Sequence, residues 1–152
     1  MGERTINNLG YSLHHLALVL DRQSDLLLQE RLDIGFSQFK ILMALKWHSG
    51  VQQKQIASKL GQTEASVSRQ IKMLQEVGLI TAKKSANNKR ERITTLTPKG
   101  EKLIDKALAA LDSYHSPVFN RLNPVQQSQL KDLIDIMHEQ ACQPDRAGGC
   151  NH

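Results

Sequence analysis

Ala57, Gly61 and Val67 constrain this chain more tightly than any other residues. Gln53 to Leu60 reads as a short helix with Ile56, Ala57 and Leu60 on its apolar side, and Thr63 opens a second helix that runs to about Val77. A small side chain at Ala57 lets the two helices cross closely. Gly61 supplies the positive φ of a tight turn without steric penalty, and Val67 plugs the second helix into the first. The inward face of that helix is Val67, Ile71 and Leu74. Thr63, Ala65, Ser66, Ser68, Arg69, Lys72 and Met73 are left to its start and outer face. These are small, hydrogen-bonding or cationic side chains of the kind that read base edges in a major groove. A helical hairpin of any kind can carry the same spacing, so the residues that follow matter.

Gly78 ends the second helix and Leu79-Ile80 opens a strand. A basic stretch with the turn signal Asn87-Asn88 follows, and Ile93 to Leu96 reads as the returning strand. The pair forms a β-hairpin with Lys83, Lys84, Lys89, Arg90 and Arg92 at its tip, placed to reach phosphates or the adjacent minor groove. A helix-turn-helix followed directly by such a hairpin is a winged helix. Charge supports this use. From Arg69 to Arg92 there are seven basic residues against two acidic ones, and the resulting +5 equals the net charge of the whole chain. A neutral body with one basic, patterned segment suits a structured polyanion, double-stranded DNA above all.

Helices flank this unit. Leu9, Leu13, Leu16 and Leu20 recur at helical spacing, extended by Leu26, Leu27 and Leu28 and ended by Gly35. Ser37 is placed to cap a helix burying Phe39, Leu42, Met43 and either Leu45 or Trp47, stopped at Ser49-Gly50. After the hairpin, Thr97-Pro98 combines an N-cap with a proline at the first helical position. Leu103, Ala107, Leu108 and Leu111 form that helix's stripe, and Pro117 should end or kink it. Asn123-Pro124, with Gln126 placed for a capping box, starts a last helix faced by Leu130, Leu133, Ile134 and Met137.

The expected architecture is mainly α with a small β-hairpin wing: a single domain over 1–142, with a winged helix-turn-helix lobe at 37–96 and dimerisation helices at 5–31 and 98–142. Residues 143–152 read as a flexible tail. The terminal apolar helices have no counterpart inside so small a core, which points to pairing between two copies.

Other classes fit poorly. Aromatics are sparse, with Trp47, Tyr11, Tyr114 and three Phe, which disfavours a base-stacking single-strand binder. No apolar run is long enough to span a membrane, and the opening MGERTINNLGYS lacks a signal-peptide core, so no membrane partner and a cytoplasmic setting are expected. The chain contains no G-x-G-x-x-G, P-loop, H-E-x-x-H or G-x-S-x-G pattern, so neither an enzyme nor a cofactor is expected. A wing made for protein contacts would show aromatic or Met anchors rather than Lys, Arg and Asn.

Residues 63–103 resemble the DNA-binding core of MarR-type regulators. The likeness rests on Ser66-Val67-Ser68-Arg69, Leu74, Gly78-Leu79-Ile80, Arg90 and Leu96-Thr97-Pro98-Lys99-Gly100, and the flanking helices extend it over nearly the whole chain. It implies that Ser66, Ser68 and Arg69 face the major groove and that Arg90 is the minor-groove arginine of the wing. It also implies a homodimer joined by the first and last helices and a repressor controlled by a small-molecule inducer or an oxidant. Two positions depart from the pattern. Asn88 stands where an aspartate usually precedes the wing arginine, and Ala82 stands where a basic residue is common, with Lys83 one place later.

The resemblance places ligands between the dimer helices and the DNA-binding lobe, where His14, His15, Arg22, Trp47, His48 and His115 are available, each with an ordinary surface or packing role as the alternative. The chain's two cysteines, Cys142 and Cys150, lie at its end, near His138 and His152. Two His and two Cys can satisfy tetrahedral zinc, and two thiols can sense oxidants. The spacing matches no common zinc finger, and an inert chain end explains the residues equally, so no metal is assigned.

Overall fold

A computed structural model describes residues 2–48, 50–87 and 92–143, with 2–7 by backbone alone. Six helices and three short strands follow in the order α1 (Gly2–Leu32), α2 (Phe36–Trp47), β1 (Val51–Gln52), α3 (Gln53–Leu60), α4 (Glu64–Glu76), β2 (Ile80–Lys84), β3 (Arg92–Leu96), α5 (Pro98–Phe119) and α6 (Pro124–Ala141). The strands form one antiparallel sheet in the order β1-β3-β2. Ile80 lies opposite Leu96, and Lys84 opposite Arg92. The tie of β1 to β3, through Val51 opposite Thr94, is an addition to the sequence-based hairpin. Two residues carry no strand signal of their own, and only the pairing makes them a strand.

The core sits where α2, α3, α4, α5 and the sheet converge. Ile41, Leu42, Ile56, Val67, Ile71, Leu74 and Ile104 are all but fully buried there. Each contributes ~1.5–3 kcal/mol on burial. Leu28 of α1 and Ala107 of α5 join the same cluster. Within α2, Leu45 rather than Trp47 is the inward residue, and Trp47 is exposed.

Three boundaries differ from expectation. Helix α1 ends at Leu32, before Gly35, because Asp33 adopts a left-handed φ of 55°. Its N–H donates to the Gln29 carbonyl at 3.2 Å. The N-cap of α2 is Gly35, and Ser37 lies inside the helix. The capping acceptors come from elsewhere: Phe36 N donates to Asp25 Oδ1 at 2.8 Å, and Gly35 N to Gln38 Oε1 at 3.0 Å. Pro117 does not end α5, which continues to Phe119. The Ser113 carbonyl, which a proline cannot serve, accepts instead from Ser116 Oγ at 3.1 Å.

Helix α6 stands apart. Asn123 and Gln126 cap it reciprocally, each bond 2.9 Å, and Gln127 Nε2 donates to the Phe119 and Leu122 carbonyls at the elbow with α5. Yet α6 buries none of its residues.

Candidate nucleic-acid interface

The reading unit is built by α3, α4 and the turn between them. Gly61 sits at φ 60°, and Gln62 N donates to the Ala57 carbonyl at 3.0 Å, closing the turn. Thr63 caps α4, its Oγ1 accepting from Ser66 N at 3.1 Å. Val67, Ile71 and Leu74 are buried along one face. That orientation leaves Glu64, Ala65, Ser68, Arg69, Lys72 and Met73 exposed and Ser66 half-buried. The turn is also braced from outside, since Gln62 Nε2 donates to Ser37 Oγ of α2 at 3.0 Å.

On the wing, Lys83 and Lys84 lie on β2 and Arg92 on β3, in the strands rather than in the loop where the sequence suggested them. Lys89 and Arg90, together with Asn88, lie outside the described residues. Lys84 and Arg92 are directly paired across the ladder and both exposed. Like charges opposite one another destabilise an antiparallel pair, and an anion between them removes the penalty. Among the described residues, none of Arg69, Lys72, Lys83, Lys84 and Arg92 forms an ion pair with an acidic side chain. Toward the described residues these cations are uncommitted, and all five are exposed.

Support from other parts of the chain was not visible in sequence. The end of α4 meets the start of α5. Thr97 N donates to the Leu79 carbonyl at 3.1 Å, Thr97 Oγ1 to the Gly78 carbonyl at 2.7 Å and Lys99 Nζ to the Val77 carbonyl at 2.7 Å. Gly100 makes this approach feasible, because a Cβ there would stand 2.1 Å from the Leu79 carbonyl oxygen. A salt bridge between Lys46 and Asp105 joins α2 to α5 further along.

The six residues named for a ligand space do not share one environment. His115 is buried, and its Nε2 lies 3.0 Å from Ser24 Oγ of α1. Ser24 donates its only hydroxyl proton to the Leu20 carbonyl at 2.7 Å, so Nε2 carries the imidazole proton and donates to Ser24. Nδ1 is buried with no partner among the described residues. His14, His15, Arg22, Trp47 and His48 are exposed. A pocket of about 230 Å³ opens between α5 and α6, lined by Phe119, Leu122, Gln127, Leu130, Lys131 and Ile134, and none of the six lines it. At the end of α6, Cys142 Sγ lies 3.4 Å from His138 Nε2. Cys150 and His152 lie outside the described residues, and no metal-holding group of three or more ligands occurs among those described. No helix among them is long and apolar enough to cross a membrane.

A three-stranded sheet on a helix-turn-helix, with an uncommitted cationic face, defines a winged helix-turn-helix protein. Residues 36–91 match the model of the MarR family. A MarR transcriptional regulator from Methanosarcina mazei superimposes with a TM-score of 0.80 at 21% identity, covering 89% of this chain and 96% of that one. The Staphylococcus aureus MepR–DNA complex gives 0.74 at 25% identity, covering 86% and 96%. An uncharacterized HTH-type transcriptional regulator of Bacillus cereus is 28% identical over 111 residues, 72% of this chain and 74% of the relative. Residues 36–91 therefore carry a MarR-type domain, and the chain has the winged helix-turn-helix fold of MarR-family transcriptional regulators.

Proposed function

We propose that the protein is a cytoplasmic repressor that binds a pseudo-palindromic operator as a homodimer and responds to a small-molecule or stress signal. The observation that carries the DNA-reading part is the exposed row on α4 formed by Ala65, Ser68, Arg69 and Lys72, with Ser66 half-buried beside it, continued by the exposed wing cations Lys83, Lys84 and Arg92. Helix α4 enters the major groove, and Thr63 at its start lies near the backbone. The wing, with Lys89 and Arg90 beyond its described strands, grips phosphates and the adjacent minor groove.

The dimer reading is supported by what a single chain leaves uncovered. Leu9, Leu13 and Leu16 of α1 and Leu130, Leu133, Ile134 and Met137 of α6 are all exposed. Apolar side chains left exposed in repeating rows, rather than scattered singly, mark an interaction surface. Two-fold pairing through these helices sets the two α4 helices on half-sites ~34–36 Å apart. The repressor and inducer parts rest on the family. His115, with its buried and unpartnered Nδ1, is the interior polar group best placed to answer a ligand near α1 and α5.

A gel-shift series over salt tests the reading. Arg69→Ala lowers discrimination between a selected and a scrambled duplex. Arg90→Ala weakens both evenly and makes the slope of log K against log salt shallower by about 0.9. Wild-type binding by both variants at every salt concentration refutes the assignment.

A further inference from the structure

We infer that Lys99 is a positioning residue for DNA binding, and that the first turn of α5 is a clasp that sets the direction of α4. Three successive carbonyls at the end of α4, those of Val77, Gly78 and Leu79, are each held by this turn. Lys99 Nζ takes the first at 2.7 Å, Thr97 Oγ1 the second at 2.7 Å and Thr97 N the third at 3.1 Å. Val77 is the C-cap of α4, and its carbonyl is among those a helix leaves unsatisfied at its end. An ammonium group there also meets the negative end of the helix dipole. Of the three bonds, the one from Lys99 is the only one made by a charged side chain.

The clasp has consequences along the whole of α5. That helix has 22 residues and spans about 33 Å at 1.5 Å per residue. Its far part carries His115, which is bonded to Ser24 of α1. A shift of α5 against α1 is therefore delivered at its other end to the carbonyls that terminate α4. Lys99 Nζ is engaged with the Val77 carbonyl at the C-terminal end of α4, beyond both Arg69 and Lys72 along that helix. Its role is to hold the reader rather than to touch DNA.

The inference rests on α4 being the reading helix, and the test separates the two. A duplex is first selected from a random pool by the full-length wild-type protein. Affinities for that duplex and a scrambled one are then measured over a salt series for wild type, Lys99→Met, Lys99→Arg and Arg69→Ala. Lys99→Met keeps the aliphatic stem and loses the donor. It should weaken the selected duplex threefold to tenfold, leave the scrambled duplex within twofold and leave the salt slope unchanged. Lys99→Arg, which still donates, should restore the selected affinity to within twofold. A parallel loss on both duplexes with a slope shallower by about 0.9 would make Lys99 a phosphate contact and overturn the clasp. So would wild-type affinity in Lys99→Met, or failure of Lys99→Arg to restore binding. If Arg69→Ala discriminates as well as wild type, or wild type enriches no duplex, the reading helix itself is refuted and the clasp with it.

Discussion

Replacing Gly100 by alanine sets two opposed effects against each other, and the sign of the result decides between them. Gly100 lies in the first turn of α5, where alanine has the better helix propensity. That effect alone would stabilise the protein by ~0.5–1 kcal/mol. Against it, the new Cβ would stand 2.1 Å from the Leu79 oxygen, 3.1 Å from the Leu79 carbon and 3.3 Å from Leu96 Cδ2. Two of these three atoms are backbone, so rotating a side chain gives no relief. Restoring a contact of ~3.2 Å requires α5 to retreat by about 1 Å, a shift at which a hydrogen bond is largely lost. The three bonds to the Val77, Gly78 and Leu79 carbonyls then go together, at ~1 kcal/mol each. Their loss outweighs the propensity gain, and Gly100→Ala should be destabilised by roughly 2 kcal/mol. Urea unfolding at one fixed protein concentration reads this as a midpoint about 1 M lower, for a slope of ~2 kcal/mol/M. A variant as stable as wild type, or more stable, would refute the close approach and the argument built on it.

Two further outcomes are expected. Thr63→Ala removes the cap on α4 and should lower stability by ~1 kcal/mol. Urea unfolding checks this, with Thr63→Ser expected to recover most of the stability that Thr63→Ala loses. Ile134→Asp puts a carboxylate into the uncovered stripe of α6 and should convert the proposed dimer to a monomer. Light scattering at a series of concentrations reads this directly, and a wild-type monomer or an unaffected dimer refutes the pairing.

Local signals explain why so much of this molecule could be read in its sequence. Gly61, Thr63 and Gly78 punctuate the reading unit, and each acts within a few residues of its own position. Thr97-Pro98 and Asn123-Pro124 likewise mark helix starts that the structure places at Pro98 and Pro124. The misreadings share a different origin. The cap of α2 comes from Asp25, eleven residues away on another helix, which no pattern local to Ser37 encodes. Pro117 is tolerated because Ser116 occupies the carbonyl left open behind it. At the candidate site, the outward row of α4 follows from the period of its buried face. The roles of Lys99 and Gly100 depend on where α5 meets Leu79, which no local pattern encodes. His115 is also a tertiary fact, since an imidazole becomes interior only once α1 lies across it.

The short strand β1 has a mechanical consequence. Because β3 is bonded on both sides, to β2 and to the strand leading into α3, the base of the wing is fastened to the body that carries α4. A wing hinged at one edge could swing to follow whatever groove geometry it met. With both edges of β3 engaged, bending that would otherwise be taken up by the protein falls on the DNA. On the proposed docking, with α4 in one groove and the wing in the next, duplex elasticity between the two enters the binding energy. Steps that deform easily, such as TA and CA/TG, become favoured at positions no side chain touches.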